Sequence, residues 1–306
     1  MNILVTGSSG WLGQTLVPRL LHDGHKVVGL DPDAGATTSI VGSVVDRALV
    51  RRIIRDEGIE AIVHAAARHK PHIETHDNTE FVAVNVQGTL NLLEEAVAEG
   101  SRVDRFVFTS TTSLMISQKI RDGRAGGATE AIWIDETLAP LQPRNIYGVT
   151  KLAAEELCRL FNHLHKLPIL VLRTARFFPE EDDMAHAIAQ SSENTKANEF
   201  LFRRLSVEDA AEAHVVALAK ARDIGFDTFI ISSMTPFSRE DRRDLIVDAP
   251  AVVARYFPEY RKLYEAFGWT MFESIDRVYD AGKAARILDF TCRTNFRQVL
   301  EALRPA

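Results

Sequence analysis

Tyr147 and Lys151 stand four residues apart, about one turn of a helix, so on a helix both side chains leave the same face. A free phenol titrates near pH ~10 and shuttles protons poorly at neutral pH. An ammonium group beside it, together with a second positive charge nearby, favours the phenolate. Reaching a pKa of about 7 takes roughly 4 kcal/mol, which two cations near a partly buried group can supply. Such a phenol takes a proton from a substrate hydroxyl as hydride departs, or returns both. A Ser or Thr hydroxyl from a nearby strand end can hold the same oxygen. Arg105-Phe-Val-Phe-Thr-Ser110-Thr-Thr112 is such a strand, apolar and tipped with hydroxyls. Tyr-x-x-x-Lys by itself arises often by chance as an exposed pair; its setting gives it weight.

That setting begins at the N-terminus. Met1 to Thr6 is a short apolar run rich in β-formers and reads as a buried strand. Gly7, Gly10 and Gly13 follow three apart, then an apolar helical pattern through Leu12, Leu16, Val17 and Leu20, then a second strand ending on Asp31. Gly7 permits a tight turn, Gly10 lets the backbone approach a pyrophosphate, and Gly13 lets the helix pack close to the strand. The first-turn N–H groups of the helix would face the phosphates. Asp31 would accept hydrogen bonds from a ribose diol and repel a 2′-phosphate, which favours NAD over NADP. Glycines in turns are otherwise only structural; the strand before, the helix after and the acid at the next strand's end make this a dinucleotide site.

The elements that position these groups alternate. Ser39–Val41 reads as a third strand, and Asp46 caps a helix to about Asp56. Ala61–His64 is a fourth strand, followed by Ala65, Ala66 and Ala67, small enough for a ligand to lie against the backbone. Phe81 to Ala98 is a long helix interrupted by Asn85. The hydroxyl-tipped strand is the fifth, Gln118 to Ala131 an irregular loop, and Arg144 opens a helix to about His165. Pro168–Arg173 is a sixth strand; Val207 to Val216 reads as a strand end capping a helix, with a seventh strand at Thr228–Ser232. The pattern predicts an α/β, Rossmann-type, doubly wound and mostly parallel seven-stranded sheet with ligands at the carboxyl ends of its strands. Residues 1–175, completed by about 205–232, form the NAD-binding domain. Residues 176–204 and 233–306, where short helices are separated by Pro236, Pro250 and Pro258, form a smaller substrate lobe over the sheet's carboxyl edge.

Composition narrows the function classes. The 306 residues are 46% hydrophobic and 25% charged, ordinary for a soluble globular chain, and the net charge of −6 argues against nucleic acid or anionic membrane as partners. No apolar run approaches the ~20 residues of a membrane span, and the chain starts at once on a core strand, so a cytoplasmic protein without a signal peptide is expected. Cys158 and Cys292 match no metal spacing. His69, His72 and His76 lack carboxylate or thiol partners at regular spacing, so no metal site is expected. His64 reads as a satisfied strand-end histidine.

Together these pieces resemble an extended short-chain dehydrogenase/reductase of the NAD-dependent epimerase/dehydratase family. The resemblance rests on Thr6-Gly-Ser-Ser-Gly-Trp-Leu-Gly13, Asp31, His64-Ala-Ala-Ala67, Asn85-Val-Gln-Gly-Thr-Leu-Asn-Leu-Leu93, Phe108-Thr-Ser-Thr-Thr112 and Tyr147-Gly-Val-Thr-Lys151, in family order over roughly residues 1–175. Val207-Glu-Asp-Ala210 with His214, and Lys283-Ala-Ala-Arg-Ile-Leu288, extend it over most of the chain. It implies that Tyr147 is the acid/base, Lys151 its pKa-lowering and ribose-binding partner, and Thr111 the catalytic hydroxyl, with Ser110 competing for that place. It further implies that Trp11 and Leu12 lie beside the pyrophosphate, Ala65 to Ala67 under the cofactor's middle, and Asn85 near the cofactor. Two helices, roughly 79–99 and 148–166, carry apolar stripes on more than one face, and in this family such helices pair across a two-fold. A homodimer is therefore expected, with cover by the chain's own C-terminal segments as the alternative.

Four departures from the family pattern bear on the reaction. Gly42-Ser43-Val44 offers adenine only the Ser43 hydroxyl and the backbone around Val44, where the family often has an Asp. Thr112-Ser113 replace the Asp-Glu of dehydratases, which disfavours dehydration and leaves Thr112 as a substrate contact. Arg176 replaces the Asn that meets a substrate diphosphate; its fork suits a phosphate or carboxylate, or an ion pair with the Glu180–Asp183 run. The Gln118–Ala131 loop lengthens the span from Thr111 to Tyr147, as a lid or as a plain surface insertion. The expected function is oxidoreduction or epimerisation of a secondary alcohol or ketone of a sugar or sugar nucleotide. Reduction of a smaller carbonyl compound and a non-catalytic dinucleotide sensor are the alternatives.

Overall fold

The computed structural model describes residues 1–178 and 190–304. In chain order come β1 (Asn2–Thr6), α1 (Trp11–His22), β2 (Lys26–Asp31), β3 (Ile40–Val41), α2 (Arg47–Asp56), β4 (Ala61–His64), α3 (Asn78–Val82) and α4 (Gly88–Ala96). They are followed by β5 (Arg105–Thr111), α5 (Gln118–Asp122), β6 (Ile132–Ile134), α6 (Ile146–His165), β7 (Ile169–Thr174), α7 (Ser192–Glu199), α8 (Val207–Ile224) and β8 (Phe226–Ile231). The chain closes with α9 (Arg242–Val247), α10 (Ala249–Tyr256), α11 (Tyr260–Phe267), β9 (Arg277–Tyr279) and α12 (Phe296–Ala302). Two compact units emerge: Met1–Leu114 with Pro143–Thr174 and Ala210–Phe229, and Met115–Gln142 with Ala175–Asp209 and Ile230–Ala306.

A seven-stranded sheet in the order β3-β2-β1-β4-β5-β7-β8 organises the first unit. Its strands are parallel, and the bonds from Ile169 N–H to Gly225 O and from Ala175 N–H to Ile231 O advance in step, so β8 runs with the rest. Strands of a parallel sheet are covered on both faces, which is why they read as apolar runs rather than alternating ones. Leu4, Ile62, Phe106 and Val171 meet Ile53, Leu92, Leu93 and Phe161 from the helices in one core. Register puts Leu30, Thr6, His64 and Phe108 in one row across the sheet. β5 runs three residues past that row, so Thr111 stands clear of it at the carboxyl edge.

Local signals explain most element bounds. Asp46 accepts the Leu49 N–H at 3.0 Å and starts α2 at its neighbour, with Val50, Ile53 and Ile54 on the buried side. The long helix expected from Phe81 is in fact α3 and α4 joined by a π turn, Ala83–Gln87, and the widened turn carries Asn85 inward. α8 starts at Val207 with no preceding strand, because the Ser206 hydroxyl accepts the Asp209 N–H at 3.1 Å and caps it.

The second unit departs more from expectation. It takes in residues 115–142, where β6 pairs in parallel with β9 through three residues each, too few for alternation to show. Ser117 caps the short α5 inside the stretch expected to be irregular, and Ile120 is buried there. α7 lacks an apolar stripe; the Asn194 and Asn198 amides each donate to the Thr270 carbonyl at 2.9 Å, so polar bonds hold it in place. Pro250 opens α10 rather than separating helices, since a first-turn proline lacks only an N–H that has no helical partner. Its core is aromatic, with Phe257, Tyr264 and Phe296 packed edge to face. Among the described residues, no helix is long and apolar enough to cross a membrane.

Candidate active site

The glycine turn after β1 closes through main-chain contacts. Gly7 has a φ of +76°, and a Cβ there would lie 2.7 Å from the Ala66 nitrogen and 2.9 Å from the Ala65 carbonyl carbon. Only glycine takes that backbone without strain, and only glycine lets the Ala65–Ala66 chain come so near. A Cβ on Gly13 would sit 2.3 Å from the Gly7 carbonyl oxygen, so α1 rests directly on the turn. Gly10 is the N-cap of α1 and offers no side chain to bond the first-turn N–H groups. Trp11 is half exposed at that end while Leu12 is buried. Asp31, buried, accepts the Ser9 and Asp33 N–H groups at 3.0 Å each, which fixes the carboxylate at the end of β2 while its oxygens keep lone pairs for further donors.

The catalytic candidates converge on the other side of the same sheet. α6 starts on Asn145, whose side chain accepts the Gly148 N–H at 2.9 Å, and carries Tyr147 and Lys151 on its buried face. Thr111 at the tip of β5, whose hydroxyl accepts the Ser113 N–H at 3.1 Å, lies near enough to the Tyr147 phenol to pull its pKa down, but burial dominates and pushes it up to about 12. Lys151 is buried with its ammonium over the Phe108 ring at 3.9 Å. Burial lowers it to about 7 against the opposing pull of Cys158 and Glu155. The chain's own groups therefore keep the phenol protonated. Ser110 and Thr111, indistinguishable in sequence, part company here: Ser110 donates to the buried Glu155 carboxylate at 2.5 Å, and Thr111 faces Tyr147.

The chain matches the profile of the NAD dependent epimerase/dehydratase family over residues 3–231. It belongs to that family. The low-salt glycan biosynthesis protein Agl12 of Haloferax volcanii is 34% identical over 193 residues, 58% of this chain and 57% of that protein. A dTDP-glucose 4,6-dehydratase of Xanthomonas campestris is 25% identical over 319 aligned positions, covering 87% of both chains. The crystal structure of UDP-glucose 4-epimerase from Thermotoga maritima with UDP-glucose shares the fold, with a TM-score of 0.69 at 21% identity over 98% of this chain and 96% of that one. The chain spans little more than half the length of several curated relatives it matches.

The family's cofactor is NAD, and the residues present fit it. The uncapped start of α1 suits a pyrophosphate, the close Gly7–Ala66 approach keeps side chains out of the turn, and Asp31 suits a ribose diol. Asn85 does more than its position in the motif announces. Its Oδ1 accepts the Arg68 N–H at 2.8 Å, and its Nδ2 donates to the Arg68 carbonyl at 2.9 Å and to the Thr150 hydroxyl at 3.0 Å. The loop after β4 is thereby tied to the helix that carries Tyr147.

A second chain of bonds reaches the same point from β1. The Thr6 hydroxyl accepts the Ala66 N–H at 3.2 Å and lies 2.7 Å from His64 Nδ1, while His64 Nε2 lies 3.0 Å from Thr89 Oγ1. Thr89 donates its proton to the Asn85 carbonyl at 2.7 Å, so it accepts from His64, whose proton is on Nε2. Burial and the charge of Lys151 both push His64 well below the ordinary histidine range, so the ring is neutral. Nothing in the sequence marks Thr6, Thr89 or Thr150 for this network, because each is an ordinary hydroxyl until the fold juxtaposes it.

The remaining predicted residues occupy less open positions. Ser43 accepts the Val45 N–H at 3.2 Å. Val44 is buried in the core, where a Cβ on Gly88 would meet its Cγ2 at 2.5 Å, and its carbonyl accepts from Asn91 at 3.0 Å. The Thr112 hydroxyl donates to the Thr174 carbonyl at 3.3 Å. Arg176 belongs to the second unit, half-buried in an isolated bridge with Arg204; its suggested partners, Glu180 to Asp183, lie outside the described residues. His69 and His72 turn to each other, the His69 N–H donating to His72 Nδ1 at 3.0 Å.

Proposed function

We propose that the protein is an NAD-dependent epimerase or dehydrogenase that acts on a secondary alcohol or ketone of a sugar nucleotide, with Tyr147 as its acid/base. The observation that carries this reading is the joint burial of Thr111, Tyr147 and Lys151, with the Thr111 hydroxyl near enough to the phenol to lower its pKa and Lys151 one helical turn away. Bound NAD supplies the hydride acceptor and a positive charge that, with Lys151, favours the phenolate. Tyr147 takes the proton of the substrate hydroxyl and gives it back in the reverse direction, while the Thr111 hydroxyl holds the reacting oxygen. Gly7, Gly10, Trp11, Leu12 and Gly13 hold the pyrophosphate, Asp31 the adenosine ribose, and the Ala65–Ala67 backbone the middle of the cofactor. Ser43 and the Val44 backbone border the adenine, and Lys151 also bonds the nicotinamide ribose. Asn85 supports the cofactor through Arg68 and Thr150.

Arg176 offers a guanidinium to a phosphate or carboxylate of the substrate. Thr112 and Ser113 supply no carboxyl group, so the elimination that dehydration needs lacks an acid and a base, which favours epimerisation or oxidation. Purified protein with added NAD should interconvert UDP-glucose and UDP-galactose, read by proton NMR, or accumulate NADH absorbance with one of a set of sugar nucleotides. Tyr147→Phe should lower turnover about 10³-fold with NAD binding unchanged within about twofold. Turnover that survives this change sinks the mechanism.

The same reading includes a homodimer. Val82 on α3 and Val149, Leu160 and Leu164 on α6 are all about half exposed, at 47%, 49%, 47% and 59%. Val149, Ala153, Leu160 and Leu164 lie along one side of α6, interrupted by the exposed Glu156, and α3 packs beside that helix. Two copies meeting on these helices would cover that side. Light scattering should give twice the chain mass, and Leu160→Glu with Leu164→Glu should return it to one; a wild-type monomer rules the dimer out.

A further inference from the structure

Glu155 has no part in the reaction as described, yet it sits on the catalytic face of α6. It follows Lys151 by one turn and Tyr147 by two, so the three side chains form one row. Its carboxylate is 1% exposed and fully engaged. Ser110 Oγ donates to Oε1 at 2.5 Å, Arg173 Nη2 donates to Oε2 at 2.6 Å, and Arg173 Nε reaches Oε1 at 3.0 Å. The strand tips are tied on as well, since Thr174 Oγ1 donates to the Ser110 carbonyl at 3.0 Å.

Stability alone gives no reason for such an arrangement. A buried ion pair rarely repays the desolvation of its two charges, and apolar residues of similar volume would serve the core as well or better. What the pair does reach is the catalytic set. Ser110 is the residue before Thr111, so a clamp on its side chain and carbonyl orients the hydroxyl that meets Tyr147. Lys151 is faced by Phe108 from β5, by neutral His64 from β4, and along its own helix by Tyr147, Glu155 and Cys158. Burial pushes the Cys158 thiol up and keeps it protonated, and β7 brings Arg173, already forked onto Glu155. Among these groups the Glu155 carboxylate is the one full negative charge.

We propose that Glu155 is a positioning residue: through Ser110 and Arg173 it sets Thr111 against Tyr147, and its charge, one helical turn away, favours the Lys151 ammonium against its burial. The catalytic half of this statement rests on the function proposed above; the action on Lys151 does not. The two are separated by measuring the lysine directly. In the full chain labelled with ¹³Cε-lysine, the Lys151 resonance is identified by its loss in Lys151→Met, and its titration is followed by NMR.

Glu155→Gln leaves Arg173 as an uncompensated cation and should move the Lys151 midpoint to lower pH by about one unit or more, a tenfold loss of protonation. Because that variant leaves Arg173 buried without its partner and puts the fold at risk, E155Q/R173M, which removes both charges, is measured beside it. A smaller acid shift is expected there, and Glu155→Asp should restore most of the wild-type midpoint. A Lys151 midpoint that is unchanged in E155Q/R173M overturns the proposal. If turnover is found, its acid limb should move to higher pH in E155Q/R173M, because less of the lysine is charged to support the phenolate; a lowered rate with an unmoved limb reduces Glu155 to a structural part. If instead Tyr147→Phe leaves turnover intact while the Lys151 midpoint moves, the function proposed above fails and the electrostatic role of Glu155 stands.

Discussion

On the β1–β2 side of the carboxyl edge, the proposed cofactor site is built mostly on the main chain, with a left-handed Gly7 and a helix start without a side-chain cap, and adds one carboxylate, Asp31, held by two N–H groups. On the β5–β7 side the proposed chemistry is left to buried side chains, Tyr147, Lys151, Glu155, Arg173 and Ser110, whose properties depend on what surrounds them. The first kind of site is set mainly by local backbone conformation, with the Ala65–Ala66 chain closing against Gly7. The second holds ionisable groups away from water, where each shifts the others and where burial works against the charged forms. A dinucleotide's phosphates can be met by geometry alone, whereas a proton shuttle must be tuned, and tuning requires burial.

Substitutions on the two sides should therefore fail in different ways. The largest effect on stability is expected from Lys151→Met. Lys151 titrates at about 7 in the folded chain against an ordinary value of 10.5, so between those values the unfolded chain binds more protons and wild-type stability rises with pH. Removing the charge should stabilise the fold by about 4.5 kcal/mol at pH 6.5, with most of the gain gone near pH ~10. Urea unfolding at the two pH values measures this; a loss of stability at pH 6.5 would mean that the buried ammonium is no burden and would erase the contrast.

Gly7→Ala should come next, at about 2 kcal/mol of destabilisation from the left-handed backbone and the close Ala66 chain. Its signature is a loss of NAD affinity of about tenfold or more, readable from the fluorescence of half-exposed Trp11, with no dependence on pH between 6 and 9. The smallest effect is expected from Ser110→Ala, about 1 kcal/mol and a rate loss within about tenfold, because the link to Glu155 is cut while Thr174 still holds the Ser110 carbonyl. A rate loss near that of Tyr147→Phe would instead make Ser110 the reacting hydroxyl and reverse its distinction from Thr111.

Legibility followed the same division. Gly7, Gly10, Gly13 and Asp31 could be read from spacing because a phosphate turn constrains the backbone locally, and the seven strands could be read because a parallel sheet needs continuous apolar runs. Asn85 was legible as a break in an apolar helix, but the π turn that swings it inward was not. In the second unit, α7 and the β6–β9 pair escaped notice because amide bonds and three-residue strands leave no periodic trace.

The order of residues determined that this chain folds as a doubly wound sheet and that a glycine turn and a Tyr-Lys helix lie on it. Those outcomes depend on hydrophobic period, backbone freedom and helical spacing, all local. Only the tertiary structure decided that Thr111 and not Ser110 meets the phenol, that His64 carries its proton on Nε2, and that Glu155 shares the face of Lys151 in a dry core. Hydrogen-bond partners and the dielectric around a charge are made by residues distant in sequence, so they exist only once the strands have closed around them.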